Sequence, residues 1–353
     1  MFSNFIINSL FFISFVHSFS PLLSYSPFQE LLKQQITFNS YSVISQIYLP
    51  KNPIFCTSCI FNDCHADGKM GGAIFCLKHS ITINNCYFTK CTAREGSCIY
   101  GSDDVNVYHS TFYNTAAEHA GAIRCLDGHY FRVEFTAFDH TSAITNGAFH
   151  RSGGHHSPLY MVNFSNLCAT EVHGIGECSI ARLSLKQCIM RNIAAYVQNG
   201  GIYTHISTSI LFEHDVFINV SSTHPLDGHI LIIDGDCTFG SISNSYFFSL
   251  LRPKSELLVV IDYVRWIKIS NCAFSCEQDE AISPYKNIEL IDNTFGNCPL
   301  PSQDFNTQIG YQVYVLPKFE KRLPLTSILN LLLFIAVFII FRPLIKNVIK
   351  SNF

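Results

Sequence analysis

The chain has 353 residues, of which 48% are hydrophobic and only 14% are charged, and its formal net charge is −3. Because there is no basic excess, this composition argues against nucleic acid as a partner. Fifteen cysteines are many for a protein kept in a reducing cytosol, so the cysteine count favours an exported chain. The count is odd, so at least one thiol cannot pair within the chain.

The amino-terminal segment, residues 1–20, is predicted to be a secretory signal peptide. Its apolar run extends from Phe5 to Val16, and Ser18 and Ser20 are small residues suited to cleavage. The segment contains no Lys or Arg before the apolar run, so an uncleaved anchor is the alternative. Residues 21–53 show weak strand alternation and are predicted to be an N-terminal cap.

A second apolar segment, residues 323–341, is predicted to be one transmembrane helix. It is uncharged and has about the 20 residues that cross a bilayer. Basic residues flank it on both sides, so the signal peptide rather than the flanking charge sets the orientation. We therefore expect a type I protein at the cell surface or in an endomembrane, with its body outside or lumenal. Residues 299–322 would be a cap or stalk, and residues 342–353 a cytoplasmic tail.

The middle of the chain repeats one pattern about every 26 residues. A large apolar residue, here called the anchor, recurs with apolar residues seven, five and two positions before it and three after it. The anchors are Phe61, Phe88, Phe112, Phe138, Phe164, Met190, Phe217, Phe247, Phe274 and Phe295. Pairs of apolar residues two apart face one side of a strand, and the odd step between positions −5 and −2 predicts a bend.

A unit of this length cannot bury its apolar face alone, so successive units must stack. Helical repeats would need a period of three to four, and the Leu-x-x-Leu-x-Leu frame of leucine-rich repeats is missing. The Asn that often follows the anchor by two positions suits a tight turn. We therefore predict an all-β fold over residues 54–298, a right-handed parallel β-helix solenoid of about nine to ten coils. The anchors would form one inward column, and one C-terminal transmembrane helix would follow.

Glycine-containing tags accompany the repeat: "MGGAIFC" at 70–76, "AGAIRC" at 120–125, "NGAFH" at 146–150 and "NGGIYT" at 199–204. Glycine at these places permits a corner before the next inward strand. The tags resemble the Gly-Gly-Ala-Ile repeats of chlamydial polymorphic membrane proteins and of similar surface proteins in parasitic protists such as trichomonads. The family's Phe-x-x-Asn motif reads Phe-x-x-Cys at Phe61 and Phe88. The resemblance implies a pectin lyase-like β-helix for adhesion or antigenic display, with no catalytic residues to transfer.

Cysteines of neighbouring repeats are candidates for disulfides. Cys59 with Cys86, and Cys64 with Cys91, would lie on adjacent coils with Cα atoms about 5 Å apart, which a disulfide allows. Stacked thiols are the alternative, because straight cross-coil geometry strains the bond. No second cysteine cluster stands at zinc-finger spacing from Cys56, so no metal site is predicted.

Carboxylate pairs matter because β-helices also carry pectin-degrading enzymes. An inverting glycosidase needs two carboxylates about 6.5–9.5 Å apart on one face. The pair Asp103-Asp104 and the pair around Asp234 are predicted to lie five coils apart, about 24 Å at the stacking rise of a sheet. His155 and His156 fall two coils from Asp104. The sequence therefore predicts no catalytic residue and no cofactor.

Two sequons, beginning at Asn163 and Asn219, are predicted glycosylation sites, and both asparagines are expected to point outward.

The expected function is a single-pass cell-surface β-helix protein that serves as an adhesion or binding and display module without catalysis. Its expected partners are the membrane, through one span, and a host-cell or extracellular glycan or protein. A carbohydrate-active enzyme on the same scaffold, similar to a pectin lyase or polygalacturonase, is the first alternative. A structural coat component is the second.

Overall fold

The computed structural model describes residues 37–39, 53–179, 182–197, 199–206, 209–222, 230–234, 239–248, 259–261, 264–282 and 287–296. All of them lie in the first of two compact units, Met1–Ile309. The predicted signal peptide, stalk, transmembrane helix and tail lie outside the described residues, as does most of the predicted N-terminal cap. No helix among the described residues has the length and hydropathy needed to cross a bilayer.

The described residues form an all-β, right-handed parallel solenoid, as the repeat predicts. In chain order its strands are β1 Thr37–Asn39, β2 Ile54–Thr57, β3 Ile60–Asn62, β4 His65–Met70, β5 Ile74–Cys76, β6 Ile81–Asn84, β7 Tyr87–Thr89, β8 Thr92–Glu95, β9 Ile99–Gly101, β10 Val105–Tyr108, β11 Thr111–Tyr113, β12 Ala116–His119, β13 Ile123–Leu126, β14 Phe131–Glu134, β15 Ala137–Asp139, β16 Ser142–Thr145, β17 Phe149–Ser152, β18 His156–Tyr160, β19 Asn163–Ser165, β20 Cys168–Val172, β21 Gly176–Ser179, β22 Arg182–Lys186, β23 Ile189–Ala195, β24 Ile202–His205, β25 Ser209–Glu213, β26 Val216–Ser222, β27 Leu231–Asp234, β28 Phe239–Ser243, β29 Tyr246–Phe248, β30 Val259–Ile261, β31 Ile267–Ser270, β32 Ala273–Phe274 and β33 Ile288–Ile291. One short helix, α1 Gln278–Ala281, precedes β33.

Three parallel sheets surround the core. The first sheet contains ten strands, in the order β2-β6-β10-β14-β18-β22-β25-β28-β31-β33. The second sheet contains fifteen strands and carries the anchors. In its early coils the anchor strand and the strand after it are separate, whereas β23 and β26 each run through both positions as one strand of seven residues. The third sheet contains eight strands, in the order β5-β9-β13-β17-β21-β24-β27-β30.

The number of coils is smaller than predicted. The structure has about seven turns, so the expectation of nine to ten coils was wrong. The repeats at the carboxyl end are the least regular. The repeat of Phe274 passes through α1 and then reaches the third sheet by a single parallel bridge between Ile282 and Val259, and among the described residues no third-sheet strand follows Phe295.

Nine anchors, from Phe61 to Phe274, pair in register along the second sheet, and Phe295 stacks on Phe274 beyond its last strand. Consecutive phenylalanine rings are stacked with centroids 4.6–5.1 Å apart and interplanar angles of 6–11°. Met190 pairs in register with Phe164 on one side and Phe217 on the other, and it is fully buried. The main chain of Phe38 pairs in register with that of Phe61. Sequence reasoning missed Phe38 because Lys33 stands where the repeat has an apolar residue.

The bend in the repeat is a left-handed residue three positions before each anchor. These ten residues have φ between 48° and 60°: Ser58, Asn85, His109, Phe135, Met161, Gln187, His214, Asn244, Asn271 and Asp292. A second left-handed position lies two residues after the anchor. It is occupied by Asp63, Lys90, Asn114, His140, Asn166, Asn192 and Asn219. The predicted tight turn at the recurring Asn is therefore present, and a short polar side chain that tolerates this conformation suits it.

Gly71 of the first tag is itself left-handed, with φ 65°, as the predicted corner requires, whereas Gly121 and Gly147 have a different role. In their coils the left-handed residue is the one before the glycine, Ala120 with φ 58° or Asn146 with φ 63°. A Cβ atom built on Gly147 would lie 2.0 Å from the carbonyl oxygen of Gly174, and one on Gly121 would lie 2.0 Å from that of Gly147. Close approach of successive main chains, and not the corner itself, therefore requires glycine here.

The four candidate disulfide cysteines are thiols in the structure. In-register parallel strands are separated by about 4.8 Å, whereas the two Cβ atoms of a disulfide are typically about 3.8 Å apart. Cys86 Sγ instead lies 3.4 Å from the main-chain nitrogen of Cys59, and Cys64 and Cys91 are both buried. Hydrogen bonding to Cys59, together with burial, raises the pKa of the Cys86 thiol. These side chains therefore act as small protonated core residues.

One carboxyl group, that of Asp215, is fully buried two positions before its anchor. Its oxygens accept hydrogen bonds from the main-chain nitrogens of Cys188, at 2.8 Å, and Glu213, at 3.1 Å. Burial raises the pKa of Asp215 to about 8. Asn293 occupies the equivalent position in a later coil, where its Oδ1 accepts from the main-chain nitrogen of Cys272 at 2.9 Å. A neutral amide therefore fits the same column.

Truncating one anchor should strongly destabilise the solenoid. We expect Phe112→Ala to lower the free energy of unfolding by about 3–5 kcal/mol, because the stacked neighbours Phe88 and Phe138 cannot close the cavity. Tyr113→Ala is the matched control, since Tyr113 is the next residue in the strand and 39% exposed. Denaturant unfolding of the purified chain measures both, and equal losses in the two variants would contradict an inward column.

The stability of the chain should fall as pH rises through the range of the Asp215 titration. In the unfolded chain this carboxyl ionises above its ordinary pKa of 3.8, while in the folded chain it keeps its proton up to about 8. The contribution of this carboxyl to the free energy of unfolding is therefore complete below pH 3.8 and is lost as pH rises through 8. Asp215→Asn should remove this dependence and stabilise the chain at pH 8 by a few kcal/mol, on the order of 2–5.

Thermal melting between pH 4 and pH 8 gives the readout for Asp215→Asn. Asp279→Asn, at an exposed position in α1, removes the same formal charge and should leave the pH dependence unchanged. If Asp215→Asn melts with the same pH dependence as the unmodified chain, the buried carboxyl does not titrate as described.

Candidate functional site

The outer face of the third sheet carries a row of polar side chains. Alternate residues of each strand point away from the core, and the second residue of each strand is one of them. Parallel pairing places these second residues directly above one another in consecutive coils. From β9 to β24 they are Tyr100, Arg124, His150, Glu177 and Tyr203.

A second row comes from the strand ends and corner residues that lead into the third sheet. Glu95, His119 and Thr145 stand in register at the ends of β8, β12 and β16. Asn146, which directly follows Thr145, and His173 in the next coil occupy the left-handed corner. We call the two rows together the polar stripe. Its members are Glu95, Tyr100, His119, Arg124, Thr145, Asn146, His150, His173, Glu177 and Tyr203.

The charges at both ends of the polar stripe have partners. Glu95 is 8% exposed, and its two oxygens lie 2.9 Å from Arg94 Nη2 and 3.0 Å from Arg124 Nη1. At the other end the Tyr203 hydroxyl donates to Asp234 Oδ2 at 3.0 Å. The ring of Tyr203 stacks on His173, with centroids 4.6 Å apart and an angle of 2°. These contacts fix the side chains before any ligand is bound.

The central histidines of the polar stripe are neutral near pH 7. Burial lowers the pKa of His150 and lowers the pKa of His173 to about 4, against the opposing effect of Glu177. His150 Nε2 lies 3.6 Å from Glu177 Oε2, and Ser179 Oγ donates to Glu177 Oε1 at 2.6 Å. A carboxylate only accepts hydrogen bonds, so it favours the tautomer of His150 that carries its proton on Nε2.

Four buried polar atoms of the polar stripe have no hydrogen-bond partner among the described residues. They are Arg124 Nε, Asn146 Oδ1, His150 Nδ1 and His173 Nδ1. Leaving one such group unpaired costs about 1–3 kcal/mol. Asn146 is 4% exposed and His173 is 6% exposed, so both side chains are held at this surface by their surroundings. Each of these four atoms has less than 1 Å² of accessible surface, so they lie beneath the outer surface of the polar stripe.

The aspartates singled out in the sequence do not meet. Asp104 stands before a first-sheet strand, where its Oδ1 accepts from the main-chain nitrogen of Tyr130 at 2.8 Å. Asp234 ends β27 in the third sheet, and Asp236 lies outside the described residues. His155 stacks on His129 with centroids 5.1 Å apart. Within the described part of the chain, no three His, Cys, Asp or Glu side chains are grouped in a way that could hold a metal ion.

Both sequon asparagines lie on the outside of the solenoid and are half-buried. Asn163 Oδ1 accepts from Ser165 Oγ at 3.0 Å, and Asn219 Nδ2 donates to Asn192 Oδ1 at 3.5 Å. Glycosylation at these two residues stays a prediction.

Sequence reasoning missed the polar stripe, although a signal for it was present. The residue two or three positions after each tag glycine is its outward member: Arg124 in "GAIR", His150 in "GAFH" and Tyr203 in "GGIY". Single residues one coil apart form no local motif. Only the register of the coils turns them into neighbours.

Comparison of the chain with family models, with curated proteins and with solved structures finds no match in any of the three. The resemblance to Gly-Gly-Ala-Ile repeat proteins therefore rests on the tags and the repeat alone.

Acid should destabilise the folded chain, because His173 must be protonated. The unfolded imidazole takes up a proton below pH 6.5, whereas the folded one stays neutral down to about 4. The contribution of neutral His173 to the free energy of unfolding is present above pH 6.5 and is lost as pH falls toward 4. His173→Gln should reduce the acid-induced loss by up to about 3 kcal/mol. His129→Gln, at an exposed histidine, is the control, and melting curves from pH 7 to pH 4 that match for all three proteins would contradict this.

Proposed function

We propose that this chain is a single-pass cell-surface protein whose β-helix binds a polar ligand on the polar stripe. The predicted signal peptide and transmembrane helix would hold the solenoid outside the cell on one span. The Gly-Gly-Ala-Ile tags support a kinship with the adhesion and display proteins that they resemble. On this proposal the chain presents a binding face and carries out no catalysis.

The observation that carries the proposal is the in-register row of outward polar side chains at Arg124, His150, Glu177 and Tyr203. Stacking of the coils requires only the inward apolar residues, so the fold alone does not require this row. The core columns, by contrast, are filled by stacked apolar side chains.

The carboxylates of the polar stripe favour binding over catalysis. The two oxygens of Glu95 contact the guanidinium groups of Arg94 and Arg124. Glu177 Oε1 accepts from Ser179 Oγ, and its Oε2 lies 3.6 Å from His150 Nε2. Groups that are fixed in this way orient a ligand, whereas a general acid or base must exchange a proton with one.

Removing the centre of the polar stripe should abolish ligand binding. We expect the double variant Arg124→Ala, His150→Ala to lose at least about tenfold in affinity, because two hydrogen-bonding groups are removed. The matched control is the double variant Arg132→Ala, Glu134→Ala. It deletes an ion pair of 3.4 Å on the outer face of the first sheet.

The measurement is binding of the purified chain to a glycan array and to immobilised extracellular proteins. Melting curves of both double variants report folding. Equal binding by the stripe variant and the unmodified chain would contradict the proposal, as would an unmodified chain that binds nothing on either surface.

A further inference from the structure

In several coils the residue two positions before the anchor accepts a hydrogen bond from the main chain of the coil before it. Ser110 Oγ accepts from the main-chain nitrogen of Cys86 at 3.1 Å, and Thr136 Oγ1 accepts from that of Ser110 at 3.4 Å. Cys86 Sγ has the same role toward the main-chain nitrogen of Cys59, at 3.4 Å. The repeat therefore accounts for the thiol of Cys86, since this column takes a small side chain that can accept a hydrogen bond.

The repeat does not account for Cys56, which lies five positions before the first anchor. In the later repeats this position holds a larger apolar residue: Ile83, Val107, Val133, Leu159, Leu185, Phe212, Ile242, Ile269 and Leu290. A side chain of that size removes more apolar area from water than a cysteine does, so packing alone favours it. A thiol at Cys56 therefore calls for a role other than packing.

Cys56 faces Cys59 across the first corner of the solenoid. The two residues lie on either side of Ser58, whose φ of 54° bends the chain, and both are buried. Side chains on the inner side of a bend converge. Hydrogen bonding to Cys59, together with burial, raises the pKa of the Cys56 thiol, so the two thiol groups are in contact. Both are thiols in the structure, which shows the pair in its reduced form.

A bond between Cys59 and Cys86 is less favourable than one between Cys56 and Cys59. Cys59 and Cys86 hold equivalent positions in adjacent coils, so their side chains point the same way and keep the separation of parallel strands, about 4.8 Å. The two Cβ atoms of a disulfide are typically about 3.8 Å apart. A disulfide inside one coil avoids this mismatch, because the bend at Ser58, and not the stacking of coils, sets the distance between its two residues.

We propose that Cys56 and Cys59 are oxidised to a disulfide that closes the first corner, while Cys86 remains a thiol. The oxidant is the disulfide of a thiol–disulfide oxidoreductase or of glutathione. One cysteine thiolate attacks that disulfide and releases one thiol, and the second cysteine then displaces the other. The pair gives up two protons and two electrons, and the oxidant becomes two thiols. Because both cysteines are buried in the folded chain, the exchange takes place before the first coil closes.

This inference rests on one part of the proposed function, the export of the chain, because an exported chain meets an oxidising compartment. The position of the pair suits a cross-link. Within the described part of the chain, β2, which carries Cys56, ends the first sheet and pairs with β6 alone. An end coil has fewer neighbours than a coil in the middle, so it opens more readily. The disulfide restrains that coil by closing its corner covalently.

The test is a count of thiols after refolding, which does not depend on whether a cell exports the chain. The full chain is reduced and unfolded, refolded in detergent with reduced and oxidised glutathione, and then treated with N-ethylmaleimide in denaturant. Cleavage with trypsin and with a protease that cuts before aspartate gives residues 52–62, which contain only Cys56 and Cys59, and residues 79–90, which contain only Cys86. Mass spectrometry counts the maleimide groups on each peptide.

We expect residues 52–62 to carry no maleimide and to weigh two hydrogen atoms less than the reduced peptide, whereas residues 79–90 should carry one maleimide. Two maleimide groups on residues 52–62 would overturn the proposal, as would a disulfide that joins residues 52–62 to any other peptide. Either result would leave the binding face of the polar stripe standing, since neither cysteine belongs to it.

Two variants check that the pairing follows the geometry of the corner. Cys86→Ser keeps a hydrogen-bond acceptor, as Ser110 does one coil later, and should still form the disulfide between Cys56 and Cys59. Cys56→Ile introduces the residue type that Ile83 supplies in the next coil, and should leave Cys59 as a thiol that carries one maleimide. Loss of the disulfide in Cys86→Ser, or pairing of Cys59 with Cys86 in Cys56→Ile, would contradict the assignment. Melting curves confirm that both variants fold.

Discussion

The structure depends on one constraint, the stacking of each coil directly on the coil before it. A single unit of the repeat has too few apolar contacts within itself to form a core, so its inward face is buried only by identical positions above and below. The column of stacked rings at Phe61, Phe88, Phe112 and their successors is the clearest expression of this constraint. In-register pairing follows, since a shift by one residue would turn the column outward.

The same constraint explains features that look unrelated in the sequence. Left-handed residues recur at fixed distances from the anchors because every coil must turn at the same places. Gly121 and Gly147 are needed because neighbouring main chains approach too closely for a side chain. Buried thiols such as Cys86 fill columns in which a small side chain fits. Asp215 is an exception that the core accommodates by keeping its carboxyl protonated.

Much of the fold could be predicted from the sequence, and the reasons are local. The anchors and their apolar flanks recur in each unit, so the parallel solenoid and the turn at the recurring Asn followed from the pattern. The number of turns did not, because the repeats of Phe274 and Phe295 keep the anchor but form no third-sheet strand among the described residues. The polar stripe was not predicted, since Arg124, His150 and Glu177 form no local motif and become neighbours only through the register of three coils.

Native-state hydrogen exchange with rising denaturant tests the central claim most directly. The amides of Tyr87, Thr111 and Ala137 each donate to a carbonyl of the preceding coil. If each coil is held only by its neighbours, coils in the middle of the solenoid should lose protection together, and opening should spread from the ends. Exchange of the Thr111 amide in a separate opening event, while Tyr87 and Ala137 stay protected, would contradict the account.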